Sequence, residues 1–161
     1  MTAILEARQL RKVFGVTPAV DDVDFSIDAG TRTALIGPNG AGKSTLFELL
    51  GGGLSADSGH IAFNGADITA WPPMRRAQAG IARTFQIAAV FRSMTALENV
   101  QTALLATVPG GGGLRAASSA FKGEAEALLD TVGIAAAMES AVTDLAYGDV
   151  KRLELAMALA G

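Results

Sequence analysis

The chain of 161 residues contains no cysteine, which excludes disulfides and thiolate-held metal ions. Histidine occurs once, at position 60. It opens a strand-like run with no second candidate ligand beside it, so it reads as a surface residue rather than a metal ligand or an acid–base group. Lysine and arginine number 13 against 16 aspartates and glutamates, a net charge of -3. The basic residues are scattered, and no nucleic-acid face is expected. Hydrophobic residues make up 50% of the chain and mean hydropathy is +0.34, yet no uninterrupted apolar stretch approaches the ~18 residues of a membrane span. Near the start, Glu6, Arg8 and Arg11 interrupt the apolar residues and leave no signal-peptide core. The expectation is a cytoplasmic protein of roughly one domain, long enough to bury a core. Its apolar excess is either a generous core or surface kept for partners.

Glycine, by contrast, is plentiful at 19 residues, and its most informative cluster is Gly37-Pro38-Asn39-Gly40-Ala41-Gly42-Lys43-Ser44-Thr45. This fits the phosphate-loop pattern G-x-x-x-x-G-K-[ST] at every fixed position. The pattern is short, so its context decides: it should leave a buried strand and open a helix. Residues 33–36 form a short apolar run before it, and Leu46, Leu49 and Leu50 follow at helical spacing. Glycines at 37, 40 and 42 let successive backbone N–H groups turn inward around a phosphate, and the start of the helix adds its positive dipole end. Lys43 is placed to reach the β- and γ-phosphates of a nucleotide, and the Ser44 hydroxyl to complete the shell of a bridging Mg²⁺. The alternative is a plain glycine turn between a strand and a helix.

Elsewhere the spacing predicts a strand over 4–10 leading to Phe14-Gly15, where Phe14 is either a core aromatic or a stacking platform for adenine. Residues 22–27 alternate strictly, with Val23, Phe25 and Ile27 on one face of a half-buried strand. Glycines 51–53 stop the first helix, and a turn at 57–59 leads into a strand over 60–64. Pro72-Pro73 opens a short helix over 74–79 closed by Gly80, and 81–85 reads as a further strand ending at Gln86. A helix over 95–107 has Thr95 and Glu98 as a capping box. Pro109 and the glycines at 110–113 form a flexible segment, and 116–132 is a helix that Gly133 ends. The last helix, from Asp149 onward, is apolar on nearly all sides beyond Arg152 and is expected to be buried.

Four stretches now stand in a distinctive order: the phosphate loop, Arg83-Thr84-Phe85-Gln86, Met94-Thr95-Ala96-Leu97-Glu98-Asn99-Val100 and Leu145-Ala146-Tyr147-Gly148-Asp149. Together they resemble ATP-binding cassette (ABC) transporter ATPases over essentially the whole chain. The stretch Asp67-Ile68-Thr69-Ala70-Trp71-Pro72-Pro73, the run into Gln86 and the glycine-rich insertion are similar in particular to the ATP-binding subunits of branched-chain amino acid importers. The resemblance implies an α/β fold: a P-loop NTPase core with an N-terminal antiparallel β lobe and an inserted helical lobe. Residues 1–85 would form the β lobe and core, 86–148 the helical lobe with its insertion at 109–114, and 149–161 the signature helix.

It also implies roles. Phe14 matches the aromatic that stacks on adenine, which favours the platform reading. Gln86 matches the glutamine that touches Mg²⁺ and the attacking water beside the transmembrane permease subunits, whose contact would run over 86–94. Leu145 to Asp149 match the signature motif, which binds the ATP held by a second ATP-binding subunit in a homo- or heterodimer. Two departures stand out: Ala146 replaces the usual serine and Asp149 the usual glutamine, with Lys151 and Arg152 near enough in sequence to offset the added carboxylate. The sequence ends at Gly161, ahead of the family's strand with the Mg²⁺-binding aspartate and catalytic glutamate and ahead of its switch histidine. The expectation is therefore Mg-ATP binding with little or no hydrolysis by these residues alone. In the complete protein, hydrolysis would drive solute uptake at the inner face of the cell membrane. A regulatory ATP-binding module is the rival; a small P-loop kinase would leave Gln86 and the signature unexplained.

Overall fold

A computed structural model describes residues 3–84, 89–108 and 121–160, which fall in two compact units, Met1–Arg76 and Ala77–Gly161. The first is built on an antiparallel sheet of order β2-β1-β3-β4, with β1 at Ala3–Phe14, β2 at Thr17–Asp28, β3 at Ser58–Phe63 and β4 at Ala66–Asp67. In β2 the expected alternation holds: Val23, Phe25 and Ile27 are partly buried, while Asp22, Asp24 and Ser26 are exposed. β1 departs from simple alternation. Ala7 and Leu10 are both fully buried although three positions apart, which a regular strand would send to opposite faces. The register shifts between them against both neighbours, and Gln9 takes a positive φ of 48°. One extra residue there turns Leu10 back to the core. The bulged Gln9 N–H donates to Asp24 Oδ1 at 2.6 Å. Its carbonyl lies against Gly59, where a Cβ would overlap the Gln9 backbone and φ is +92°.

After β2 the chain runs through the phosphate loop into α1, Lys43–Gly51. Leu46 and Leu49 of α1 are buried, and the helix stops at Gly52, whose N–H donates to Leu49 O in the left-handed conformation. The expected strand at 33–36 does not form. Among the described residues it has no ladder partner, and Ile36 is 89% exposed. Residues 81–84 likewise form no strand, and 85–88 lie outside the described residues. In both places apolar composition signals burial, but without a paired neighbour there is no ladder to make a strand. His60 is exposed, with Nδ1 3.5 Å from Asp67 Oδ2.

The short helix α2, Pro73–Gln78, spans the boundary between the units and is closed by Gly80. The second unit packs α3 (Ala96–Thr107), α4 (Lys122–Thr131) and α5 (Tyr147–Leu159) around Leu97, Val100, Leu104, Leu129, Leu153 and Ala156. The capping box is complete: the Glu98 N–H donates to the Thr95 hydroxyl at 3.1 Å, and the Thr95 N–H to Glu98 Oε2 at 2.8 Å. The expected start of α4 and the flexible segment before it fall at 109–120, outside the described residues. α5 begins at Tyr147 rather than Asp149 and is not buried all round. It buries Leu153, Glu154 and Ala156, with Ala160 just past its end, and leaves Leu155 and Leu159 about half exposed, because α3 and α4 cover only one side of it.

Replacing Gly59 by alanine adds both a positive-φ penalty and an overlap with the Gln9 backbone. Gly59→Ala should therefore lower unfolding free energy by about 2–4 kcal/mol, read as a shifted midpoint in urea.

Candidate functional site

The phosphate loop is shaped by its glycines at the two positions where φ is positive, Gly40 at +83° and Gly42 at +80°. Gly42 has a second constraint. Any Cβ there would overlap the carbonyl of Ala19, so the loop lies directly on β2. The Leu46 N–H donates to Gly42 O at 2.9 Å. The N–H groups of Lys43, Ser44 and Thr45 precede the first intrahelical bond and have no protein acceptor among the described residues. They are the donors that a helix start offers an anion. Lys43 Nζ donates to Gly37 O at 2.7 Å and Pro38 O at 2.6 Å. Two of its three N–H groups are thereby committed to the loop, the ammonium is held across the mouth, and one donor remains. A cleft of about 210 Å³ borders the loop, lined in part by Val20, Leu35, Ile36 and Lys43.

Phe14 ends β1 opposite Thr17 and is 50% exposed, with Lys12 Nζ 5.8 Å from its ring centroid. Thr17 is two residues before Ala19, the residue under Gly42. At about 3.3 Å per residue along a strand, the aromatic and the loop therefore share one end of β2. Asp57 fixes this end of β1. Its N–H donates to Arg11 O at 2.9 Å, and its carboxylate accepts from Lys12 Nζ at 2.8 Å and from the Val13 N–H at 2.7 Å. These two donors hold the Asp57 carboxyl below its ordinary range.

Ser44 is exposed at the first turn of α1, and its hydroxyl has no protein partner among the described residues. Among those residues no three His, Asp or Glu side chains gather into a metal site. One neutral oxygen fits a Mg²⁺ that arrives on nucleotide phosphates better than one caged by protein. Gln86 lies outside the described residues. The signature residues belong to the second unit. Leu145 is partly buried, Ala146 is the N-cap of α5, and Tyr147, Gly148 and Asp149 form its first turn. Asp149 Oδ1 is 3.2 Å from Arg152 Nη1, which balances the added carboxylate. Lys151 pairs instead with Glu154 at 3.0 Å.

Two residues escaped the sequence reading. Arg76 is 1% exposed, and its guanidinium donates to the carbonyls of Leu49, Leu50, Thr69 and Trp71. Burial disfavours its charge, and the four carbonyls compensate. Asn99, also buried, holds the backbone of Phe91 from both sides: Oδ1 accepts its N–H at 2.7 Å, and Nδ2 donates to its carbonyl at 3.0 Å. Arginine and asparagine are ordinarily exposed, and although Asn99 lies in the 94–100 stretch, its spacing says nothing of its burial or of its bonds to Phe91.

A helix-opening phosphate loop on a β lobe, followed by a three-helix unit, defines an ABC-type nucleotide-binding domain. The family model described as ABC transporter matches residues 20–161, and the chain belongs to that family. It is similar to the sulfate/thiosulfate import ATP-binding protein CysA of Mycobacterium tuberculosis, at 35% identity over 99% of this chain and 43% of the relative. Similarity to the probable branched-chain amino acid transport ATP-binding protein LivG of Archaeoglobus fulgidus is 35% over 97% of this chain and 63% of that protein. Among solved structures, an ATP-binding cassette of an ABC transporter in its ADP conformation superposes with a TM-score of 0.84 at 31% identity, covering 99% of this chain and 65% of that one. The chain thus spans about half the length of the curated relatives it matches.

A carboxylate whose folded pKa is depressed contributes stability above its unfolded value and loses it as pH falls through the folded one. For Asp57 that window lies below its ordinary value of 3.8. The stability gap between wild type and Asp57→Asn should be constant from neutral pH down to about 5 and shrink below 3.8. Urea unfolding over a pH series measures it.

Proposed function

We propose that the chain forms the nucleotide-binding part of an ABC importer ATPase. It would bind Mg-ATP and, in the complete protein, couple hydrolysis to uptake of a small solute, in the class of branched-chain or other hydrophobic amino acids. The observation that carries this reading is the loop itself. Lys43 is held across its mouth by Gly37 O and Pro38 O while the N–H groups that follow have no acceptor among the described residues. A triphosphate supplies what those donors lack.

In this reading Phe14 stacks on adenine, and the 37–45 backbone with Lys43 holds the β- and γ-phosphates. Ser44, with Gln86, supplies oxygens to Mg²⁺, an ion that neutralises developing charge on the transferred phosphoryl group when bound. Catalysis rests on positioning and charge stabilisation. Leu145 to Asp149 face the nucleotide of a second ATP-binding subunit, where the open first turn of α5 offers backbone donors. The amino acid class is favoured by the likeness to LivG together with the 67–73 and 82–86 stretches. No described helix is long and apolar enough to cross a membrane, which fits a peripheral subunit on the cytoplasmic face. The permease would dock near 86–94, where Phe91 is 50% exposed on a backbone that Asn99 holds by two hydrogen bonds.

Lys43→Ala removes a charged donor to phosphate worth ~1.5–3 kcal/mol, so Mg-ATP affinity should fall roughly ten- to a hundredfold. Unchanged affinity in a calorimetric titration would falsify the nucleotide assignment. For the docking surface, Phe91→Ser combined with Arg92→Glu should reduce co-purification with the permease while leaving ATP affinity intact. Joint loss of both would mean that Phe91 serves the core.

A further inference from the structure

Arg76 is the one described arginine buried to 1% exposure, and its four bonds all go to carbonyls: Nη1 to Leu49 O at 2.7 Å and Leu50 O at 2.8 Å, Nη2 to Thr69 O at 2.9 Å, and Nε to Trp71 O at 3.0 Å. Leu49 and Leu50 belong to the last turn of α1, where Leu49 O also accepts the Gly52 N–H at 3.2 Å and Leu50 O lies beyond the reach of the intrahelical ladder. The guanidinium therefore grips the rear of the helix whose front carries Lys43 and Ser44. Gly52 makes room for it, since a Cβ there would sit 2.9 Å from Arg76 Nε and 3.0 Å from Trp71 O. α1 has nine residues and is about 13 Å long, so its two ends are joined by little more than two helical turns. Leu46 and Leu49 are buried and mark the face that α1 turns inward, but apolar burial is non-directional. Hydrogen bonds to the end carbonyls tolerate only a few tenths of an ångström.

We propose that Arg76 is a positioning residue for phosphate binding: by clamping the carboxyl end of α1 it sets the axial position of the N–H groups at the amino end. This rests on the reading that the loop binds a nucleotide triphosphate. The contrasting role is a helix cap alone, which would affect stability and leave ligand affinity untouched. Arg76→Met keeps the bulk and loses all four bonds. Arg76→Lys keeps the charge and can reach only some of the carbonyls. Gly52→Ala keeps the arginine and displaces it, while also straining the left-handed end of α1, so it supports the Arg76 variants and does not decide alone.

The test titrates the full chain and these variants with ATP and with inorganic triphosphate, well below each melting temperature. Displacing donors by even a fraction of an ångström should weaken both ligands on the order of tenfold in Arg76→Met, with Arg76→Lys intermediate and Gly52→Ala weakened alongside. Affinities within twofold of wild type in the folded variants, whatever their melting temperatures, overturn the proposal. If Arg76→Met does not fold, Arg76→Lys decides by the same criterion, with Gly52→Ala in support. Lys43→Ala separates the two levels. Weakened binding there with the Arg76 series unchanged overturns this role alone, while unchanged binding there removes the nucleotide reading and this inference with it.

Discussion

The contact on which most of the first unit depends is the approach of Gly42 to the carbonyl of Ala19, too close for any Cβ. It seats the phosphate loop on β2, and through β2 on the antiparallel sheet. Gly42 is at once the left-handed N-cap of α1 and the residue before Lys43, so this position fixes where the helix starts and seats its amino end against the β lobe. Glycine is needed twice over: once for φ, once for space. The same strand end carries Thr17 opposite Phe14. A candidate base platform and a candidate phosphate cradle are thus referenced to one strand rather than to separate loops.

What could be read from the sequence was local. The capping box needs only Thr95 and Glu98 three residues apart, the end of α1 only a glycine, and the face of β2 only an alternation; each was legible because its partners lie within one turn or one strand. At the phosphate loop the helix opening at Lys43 was legible in the same way, while the strand expected before it was not. The failures all involve a distant partner. Residues 33–36 carry the apolar composition of a buried strand, but a strand exists only against a neighbour, and among the described residues none pairs with them. The bulge at Gln9 answers to Asp24 and Gly59, fifteen and fifty residues away. α5 looked buried all round because its sequence is apolar; how many sides are covered depends on helices encoded elsewhere.

Arg76 and Asn99 show the same limit from the polar side. Each is a residue type that composition assigns to the surface, and each is buried because backbone groups converge on it: four carbonyls around Arg76, and the N–H and carbonyl of Phe91 together with Thr95 O around Asn99. Burial of these groups is tolerable because every described buried side-chain polar atom has a partner. Losing Arg76 would strip the carbonyls of Leu50, Thr69 and Trp71 of the donor it supplies, and losing Asn99 would strip the Phe91 N–H of its acceptor, at roughly 1–3 kcal/mol for each buried group. In both cases the side chain does what a further stretch of ladder or helix would otherwise do for irregular backbone.

That equivalence bears on how the two units differ. In the first, irregular chain between α1 and α2 is tied to a helix end by a cation, which can satisfy several carbonyls but no N–H. In the second, the segment before α3 is tied by an amide, which satisfies one N–H and two carbonyls with the geometry of a peptide group. An arginine fits the end of a helix, where only acceptors are orphaned and the dipole is negative. An asparagine fits a residue outside regular structure such as Phe91, whose N–H has no backbone acceptor among the described residues and whose carbonyl, already bonded to the Met94 N–H, can take a second donor. Each buried polar residue therefore matches the backbone groups it meets, and Phe91 stands half exposed on a main chain hydrogen-bonded to Asn99 through both its N–H and its carbonyl.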